Sequence, residues 1–80
     1  MNIARLKELR EDKDLYQKDI AKILGIKQQQ YSEYEIGKRL IPIDYLAKLA
    51  NYYNTSIDYL LCRTDKKEAY PKSLIEKNKK

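Results

Sequence analysis

Apolar residues recur along this chain at the spacing of helical faces, and no segment shows the strict alternation of a half-buried strand. The pattern predicts five helices, with expected bounds of 2–12, 16–24, 28–35 and 43–53, and a short fifth helix after Ser56. We expect the following residues to face the interior: Ile3, Leu6, Leu9, Ile20, Ala21, Ile23, Leu24, Tyr31, Tyr34, Ile43, Leu46, Leu49, Ala50, Tyr53, Ile57, Leu60 and Leu61. The fold class is therefore predicted to be all-α.

The residues at the ends of these segments are of the types that start and stop helices. Asn2 and Ser56 carry side-chain oxygens suited to the N-caps of the first and fifth helices. Gly25, Gly37 and Asn54 tolerate the left-handed conformation that closes a helix at its carboxyl end. The second and third helices are therefore expected to be separated by no more than a tight turn.

The second and third predicted helices have the properties of a helix-turn-helix. Two short helices joined by a tight turn that contains a glycine cross at a steep angle. Ala21 supplies the small side chain needed where the helices touch, and Gly25 supplies the permissive turn residue four positions later. Apolar residues stand where the inside of the corner must be filled: Ile20, Leu24, Ile26, Tyr31 and Tyr34. The combination of these features over residues 17–34 predicts a helix-turn-helix.

The outer face of the third predicted helix carries polar residues that can read nucleic-acid bases. At about 100° per residue, Gln28, Gln29, Ser32 and Glu33 lie opposite the apolar face of this helix. Glutamine can pair with adenine through N6 and N7, glutamate can accept from cytosine N4, and serine can serve either role. The same residues would also suit an ordinary solvated helix face, although three consecutive glutamines are unusual there.

Several longer segments resemble the Cro/cI-type (XRE-like) helix-turn-helix family. They are IARLKELRED, QKDIAKILGI, YEIGKR, Pro42 and LAKLANYYNTSIDYLL. The resemblance implies a five-helix, lambda-repressor-like DNA-binding domain over 1–62, and we expect 63–80 to form a basic, partly disordered tail. It also implies a sequence-specific regulator of transcription that places helix 28–35 in the major groove of double-stranded DNA. Because a single helix-turn-helix reads only a few base pairs, we expect a repressor that binds a two-fold operator as a homodimer.

The resemblance also implies roles for the matching positions. Gln17, at the start of the second helix, is expected to hold a phosphate and to brace the recognition helix. Gln28 is expected to read a base, and the other three outer-face residues are expected to set the sequence preference. Lys38 and Arg39 are expected to contact phosphates from the loop that follows the third helix.

Five further positions concern the framework of the domain. Arg10 and Glu35 resemble the family's ion pair between the first and third helices, and partly buried charges of opposite sign require each other. Lys27 stands where the family usually has a Ser or Thr cap, and it either contacts a phosphate or is merely tolerated. Tyr16 likewise replaces a cap residue, and it either reaches a phosphate or packs against the first helix. Asp14 stands where the family often has Gly.

The composition excludes several classes of catalytic site. The chain has 80 residues, no His and a single Cys, which excludes a histidine-dependent triad, a zinc finger and an internal disulfide. We therefore expect no enzymatic activity, metal, cofactor or small-molecule ligand. The longest uncharged run, residues 49–57, is far too short to span a membrane. Because the chain shows no export signal, we expect a cytoplasmic protein.

The positive charge is unevenly distributed along the chain. The net charge is +5, but residues 1–62 carry ten basic and nine acidic residues, whereas residues 63–80 carry seven and three. The nearly neutral folded part leaves a second interpretation open, in which the protein is an antitoxin or another protein-interaction module on the same fold. Four residues form either a dimer surface or ordinary surface-packed side chains: Tyr45, Tyr52, Tyr59 and Cys62.

Overall fold

Five helices make up the part of the chain that the computed structural model describes, residues 2–69. They are α1 (Ala4–Asp12), α2 (Gln17–Leu24), α3 (Gln28–Glu35), α4 (Ile43–Tyr52) and α5 (Ile57–Leu60). No strand occurs within residues 2–69, and the predicted all-α fold class is confirmed. The first four helices begin and end within two residues of their predicted bounds, and the fifth begins directly after Ser56.

The five helices share one hydrophobic core. Each helix contributes one of the largest fully buried side chains, which are Leu6, Ile20, Tyr31, Leu49 and Leu60. Full burial of such a side chain contributes about 1.5–3 kcal/mol relative to its exposure in water. The four-residue helix α5 is far too short to be stable alone. It is therefore held in place by packing rather than by its own helix propensity.

One core position before α4 is filled by a different residue from the one predicted. Ile43 is 62% exposed, and the prediction that it faces the interior is wrong. Ile41 is 5% exposed and fills the core instead. Pro42 lies between them in an extended conformation, so the chain enters α4 with Ile43 turned outward. Other predicted core residues pack against the core but are only partly buried: Ile3, Ile23, Ile57 and Leu61.

All five described helices end in the same hydrogen-bonded closure. A residue with positive φ follows each of them, in chain order Asp14, Gly25, Gly37, Asn54 and Cys62. After α3, the N–H of Gly37 donates to the carbonyl of Tyr34, and the N–H of Lys38 donates to the carbonyl of Glu33. This pair of bonds is the Schellman motif. The glycine and asparagine positions confirm the prediction, whereas the aspartate and cysteine positions were not predicted.

Polar side chains contact the first turns of α1 and α5 at their amino ends. Ser56 Oγ accepts the N–H of Tyr59 at 3.0 Å, which confirms the predicted cap of α5. The cap position of α1 belongs to Ile3 rather than to Asn2, so the predicted cap is displaced by one residue. The side chain of Asn2 still reaches the first turn, because its Oδ1 accepts the N–H of Ala4 at 3.1 Å.

The chain that follows α5 folds back onto the domain. The Arg5 guanidinium stacks over the Tyr59 ring at 3.9 Å and donates to the Thr64 carbonyl at 2.5 Å. It also pairs with the Asp65 carboxylate at 3.0 Å. The Thr55 hydroxyl donates to the backbone carbonyl of Lys67. Residues 64, 65 and 67, which were predicted to belong to the tail, thus contact the folded domain. Residues 70–80 of the predicted tail lie outside the described part of the chain.

Candidate nucleic-acid interface

Helices α2 and α3 pack against each other across a turn of three residues. Gly25 takes φ 72° and ψ 32°, and Lys27 returns to extended backbone before α3 begins. Ala21 is 2% exposed at the contact, and Tyr31 is fully buried on the inner face of α3. Because these inner positions are filled, the opposite face of α3 is left at the protein surface.

The outer face of α3 presents two glutamines to solvent. Gln28 and Gln29 are exposed, Ser32 is half-buried, and none of the three side chains makes a hydrogen bond within residues 2–69. The neighbouring Gln30 is different, because its Nε2 donates to the Tyr34 hydroxyl at 3.0 Å. The amino end of α3 therefore offers two uncommitted amide groups side by side.

Glu33, by contrast, is engaged with the loop that follows α3. Its Oε1 lies 2.8 Å from Arg39 Nε, and its Oε2 lies 3.8 Å from Lys38 Nζ. Its backbone carbonyl accepts the N–H groups of both residues, at 2.9 Å from Lys38 and 3.2 Å from Arg39. The Glu33 side chain is 17% exposed, whereas those of Lys38 and Arg39 are 69% and 68% exposed. All three residues were predicted to lie at the interface, but their pairing was not predicted.

A shallow groove lies between α3 and this loop. It has a volume of about 280 Å³ and is lined by Lys27, Gln29, Gln30, Glu33 and Arg39. Lys27 takes the N-cap position of α3 without a side-chain cap hydrogen bond, and its side chain is exposed. The groove thus brings two cations together with amide groups, which are the donor types that contact phosphates and bases. Gln30 is the one lining residue that the sequence analysis did not select.

A buried polar network holds α3 in its orientation. Arg10 Nε and Nη2 donate to the two carboxylate oxygens of Glu35 at 3.0 and 2.9 Å. Arg10 Nη1 also donates to the carbonyl of Leu15 at 2.8 Å, and Gln17 Nε2 donates to Glu35 Oε1 at 3.2 Å. The side chains of Arg10 and Glu35 are only 11% and 2% exposed. The network therefore joins α1, α2 and α3 at one buried carboxylate.

The charge of this buried carboxylate is set by its partners. Burial by itself would raise the pKa of Glu35, but the Arg10 guanidinium, with help from the nearby Tyr31 hydroxyl and Gln17 amide, holds that pKa below its ordinary value. The hydrogen bonds to Glu35 conversely raise the pKa of Arg10. Both groups are thus charged at neutral pH, and the pair is a charge-assisted, two-point contact between helices.

The amino end of α2 lies at the edge of the same surface. Gln17 is the first residue of α2 and is half-buried. Tyr16 is 67% exposed, which argues against packing on α1 and leaves it facing solvent. The N–H of Tyr16 donates to Asp19 Oδ2 at 2.8 Å, and Lys18 Nζ lies 5.5 Å from the Tyr16 ring. The first turn of α2 therefore combines the exposed Lys18 with the Asp19 carboxylate, which the N–H of Tyr16 already engages.

Two further features are absent from residues 2–69. No group of His, Cys, Asp and Glu side chains in this range has the arrangement of a metal site. None of the helices in the same range has the length and apolar content that crossing a bilayer requires.

The sequence of this domain matches an established family. A family model described as helix-turn-helix matches residues 6–60, which include the α2–α3 turn and the whole Arg10–Glu35 network. The chain belongs to this helix-turn-helix family. The resemblance to Cro/cI-type (XRE-like) members is thereby confirmed, and with it the five-helix domain.

Similar proteins occur in Bacillus subtilis (strain 168). The HTH-type transcriptional regulator AnsR is 38% identical over 74 residues, which are 92% of this chain and 64% of AnsR. The HTH-type transcriptional regulator ImmR is 38% identical over 73 residues, which are 91% of this chain and 58% of ImmR. The uncharacterized regulator YonR, derived from the SPbeta prophage, is 44% identical over 57 residues, or 71% of this chain and 53% of YonR.

The matches cover only part of each relative. The chain spans about half to two thirds of the length of these curated relatives. The matched relatives are named as transcriptional regulators, which agrees with the prediction that this chain is not an enzyme. No solved structure matches the chain significantly.

Proposed function

We propose that the protein is a sequence-specific DNA-binding regulator of transcription that inserts α3 into the major groove. The observation that carries this proposal is the outer face of α3, where the side chains of Gln28 and Gln29 are exposed and make no hydrogen bond within residues 2–69. Two uncommitted amides on a rigid helix are suited to bidentate pairing with adenine. The names of AnsR and ImmR, both HTH-type transcriptional regulators, support the same function.

The proposed function depends on the rigidity of α3. A recognition helix reads bases only when its angle to the rest of the domain is constant. The Arg10–Glu35 pair, with Gln17 as a second donor, ties α3 to α1 and α2 at a buried point. Loss of this pair would therefore reduce base discrimination as well as stability.

Phosphate contacts would flank the base-reading helix. Lys27, Lys38 and Arg39 are exposed cations next to α3, and Gln17 begins α2. The N–H groups and the positive dipole end of α2 favour an anion near Gln17. Its Nε2 has two hydrogens, so donation to Glu35 leaves one for a phosphate. These groups set the position of the helix in the groove, and the bases contacted by α3 set the sequence.

We further propose that two copies bind a two-fold operator and act as a repressor. One recognition helix of eight residues contacts only a few base pairs, so two half-sites about 34 Å apart are needed for a specific site. Tyr52, 41% exposed, is an available dimer contact. Tyr59 is less available, because the Arg5 guanidinium covers its ring.

The proposal is tested by fluorescence anisotropy with a labelled duplex that carries the DNA upstream of the protein's own gene. A scrambled duplex of the same length serves as the comparison, and both are titrated across a salt series. We expect tighter binding to the upstream duplex, and for both duplexes an affinity that falls steeply with salt. Weak binding that is equal on both duplexes and insensitive to salt would contradict the proposal and favour a protein partner.

A further inference from the structure

We propose that Glu33 does not read a base but competes intramolecularly with DNA phosphates for Arg39. The inference rests on the proposed function and deepens it, because it concerns the strength of backbone binding at the same surface. The position of Glu33 on the outer face of α3 would suit a base-reading residue. Its contacts indicate a different role.

The carboxylate of Glu33 is already paired with cations of its own chain. Oε1 is 2.8 Å from Arg39 Nε, and Oε2 is 3.8 Å from Lys38 Nζ. The Schellman closure at Gly37 brings both cations back over the last turns of α3, since the Glu33 carbonyl accepts the Lys38 and Arg39 N–H groups. A cytosine amino group would therefore have to compete with these two cations for the carboxylate.

The exposure of the partners shows which side of the pair can be exchanged. Arg39 is 68% exposed and Lys38 is 69% exposed, so a phosphate can approach either cation from solvent. Glu33 is only 17% exposed, so it stays in place while its partners change. An ion pair with one exposed member is weak and screened by salt. A phosphate can therefore displace the carboxylate, but it binds less tightly than it would to an unpaired arginine.

The consequence is that Glu33 weakens the affinity for DNA by the same factor on every DNA sequence. In the unbound protein, Glu33 neutralises part of the charge that would otherwise attract phosphate. Removal of the carboxylate should strengthen binding to operator and non-operator DNA by the same factor, because the phosphate backbone is common to both. A base-reading glutamate would behave differently, since its loss would alter the preference at one base pair.

The test is Glu33→Gln, which keeps the size of a half-buried side chain and the acceptor for Arg39 Nε while it removes the charge. We expect binding to both the upstream and the scrambled duplex to tighten about fivefold near 0.1 M salt, and the slope of log Kd against log salt to steepen by up to about one. The matched control is Glu8→Gln, at an exposed position of α1, which makes the same change in net charge. This control should leave both affinities nearly unchanged.

A double-mutant cycle separates an effect through Arg39 from a general effect of charge. If Glu33 acts through Arg39, Glu33→Gln should have little effect in an Arg39→Ala background. A full fivefold gain in that background would overturn the inference. A loss of affinity, or a changed preference at one base pair in a binding-site selection, would overturn it in favour of base reading. Thermal unfolding of each variant checks that the fold is intact, and the backbone carbonyl of residue 33 still closes α3 in all of them.

The inference and the proposed function fail in different ways. Wild-type protein that shows no salt-dependent binding to either duplex would overturn the proposed function and this inference with it. Wild-type protein that binds the upstream duplex while Glu33→Gln behaves identically would overturn only the inference.

Discussion

Arg10 and Glu35 are 25 positions apart in the chain and join α1 to α3 through two parallel hydrogen bonds of 3.0 and 2.9 Å. Neither side chain is more than 11% exposed. The same carboxylate also accepts from Gln17 on α2, so three helices meet at one charge. This buried ion pair therefore helps to fix the orientation of the proposed recognition helix, together with the packing of Tyr31 in the core.

Removal of one partner of this pair should be costly. We expect Arg10→Ala to lower the free energy of unfolding by about 3 kcal/mol, because it leaves the Glu35 carboxylate buried and uncompensated. Urea unfolding followed by circular dichroism measures this loss. Replacement of both partners, as in Arg10→Met with Glu35→Leu, should recover most of it, since no buried charge remains. A loss no larger than that of the exposed neighbour variant Glu11→Ala would contradict this account.

The same pair should make stability depend on pH in the acid range. The pKa of Glu35 is lower in the folded protein than its ordinary value of 4.5, so the unfolded chain binds the proton more readily. This stabilisation is present above about pH 4.5 and is lost as the pH falls through the lowered pKa. We expect the free energy of unfolding to fall with pH in that window, and Glu35→Gln to make the decline shallower. Parallel declines for wild type and Glu35→Gln would show that another carboxyl is responsible.

Tyr53 offers a site at which a substitution should stabilise the protein. It is 5% exposed, and its hydroxyl has no hydrogen-bond partner within residues 2–69. An unpaired buried hydroxyl is unfavourable, so we expect Tyr53→Phe to raise the free energy of unfolding by about 1 kcal/mol. The adjacent Tyr52, 41% exposed, is the matched control, and Tyr52→Phe should be nearly neutral. Thermal or urea unfolding decides the matter, and a destabilised Tyr53→Phe would mean that the hydroxyl is satisfied in solution.

Gly25 tests the turn between the two helices of the motif. A Cβ at this position would meet no atom within 4 Å, so only its φ of 72° opposes a larger residue. We expect Gly25→Ala to cost about 1 kcal/mol of unfolding free energy. Gly25→Asn should cost less, because asparagine tolerates the left-handed region. Equal losses for the two variants would indicate that steric contact, rather than the backbone angle, controls this position.

Gln28 tests the assignment of base reading. We expect Gln28→Ala to weaken binding to the preferred duplex by about 1–3 kcal/mol and to relax the preference at one base pair. Lys38→Ala is the comparison, since loss of a phosphate contact should weaken binding to all sequences alike. A binding-site selection with each variant distinguishes the two patterns. An unchanged preference for Gln28→Ala would remove this residue from the reading face.

Much of the fold follows from the sequence because its signals are local. The spacing of apolar residues predicts all five helices. Glycine and asparagine tolerate the left-handed conformation, so Gly25, Gly37 and Asn54 indicate the turns that follow three of these helices. The left-handed turn at Cys62 carries no such local signal, and the one at Asp14 carries only the weaker tolerance of aspartate for this conformation. They arise because the Schellman bonds at these helix ends impose the conformation on whichever residue is present.

At the candidate interface, too, some features follow from local sequence signals and others only from the tertiary structure. The exposed glutamines follow from helical periodicity, and the Arg10–Glu35 pair was expected from a family resemblance together with the positions of both residues at the edges of apolar stripes. Three details could come only from the tertiary structure. Ile41 replaces Ile43 in the core because Pro42 sets the path into α4. Arg5 draws residues 64 and 65 onto α1, although they lie 59 and 60 positions further along the chain.

The third detail is the pairing of Glu33 with Arg39. The sequence by itself determined the helices, the turn between α2 and α3, and the polar face that α3 presents. The partners of the charges on that face were decided by the tertiary structure, through the loop that closes back over α3 at Gly37. The physical reason is one of range. Helix periodicity and turn preference are properties of neighbouring residues, whereas an ion pair depends on where the backbone brings distant side chains in space.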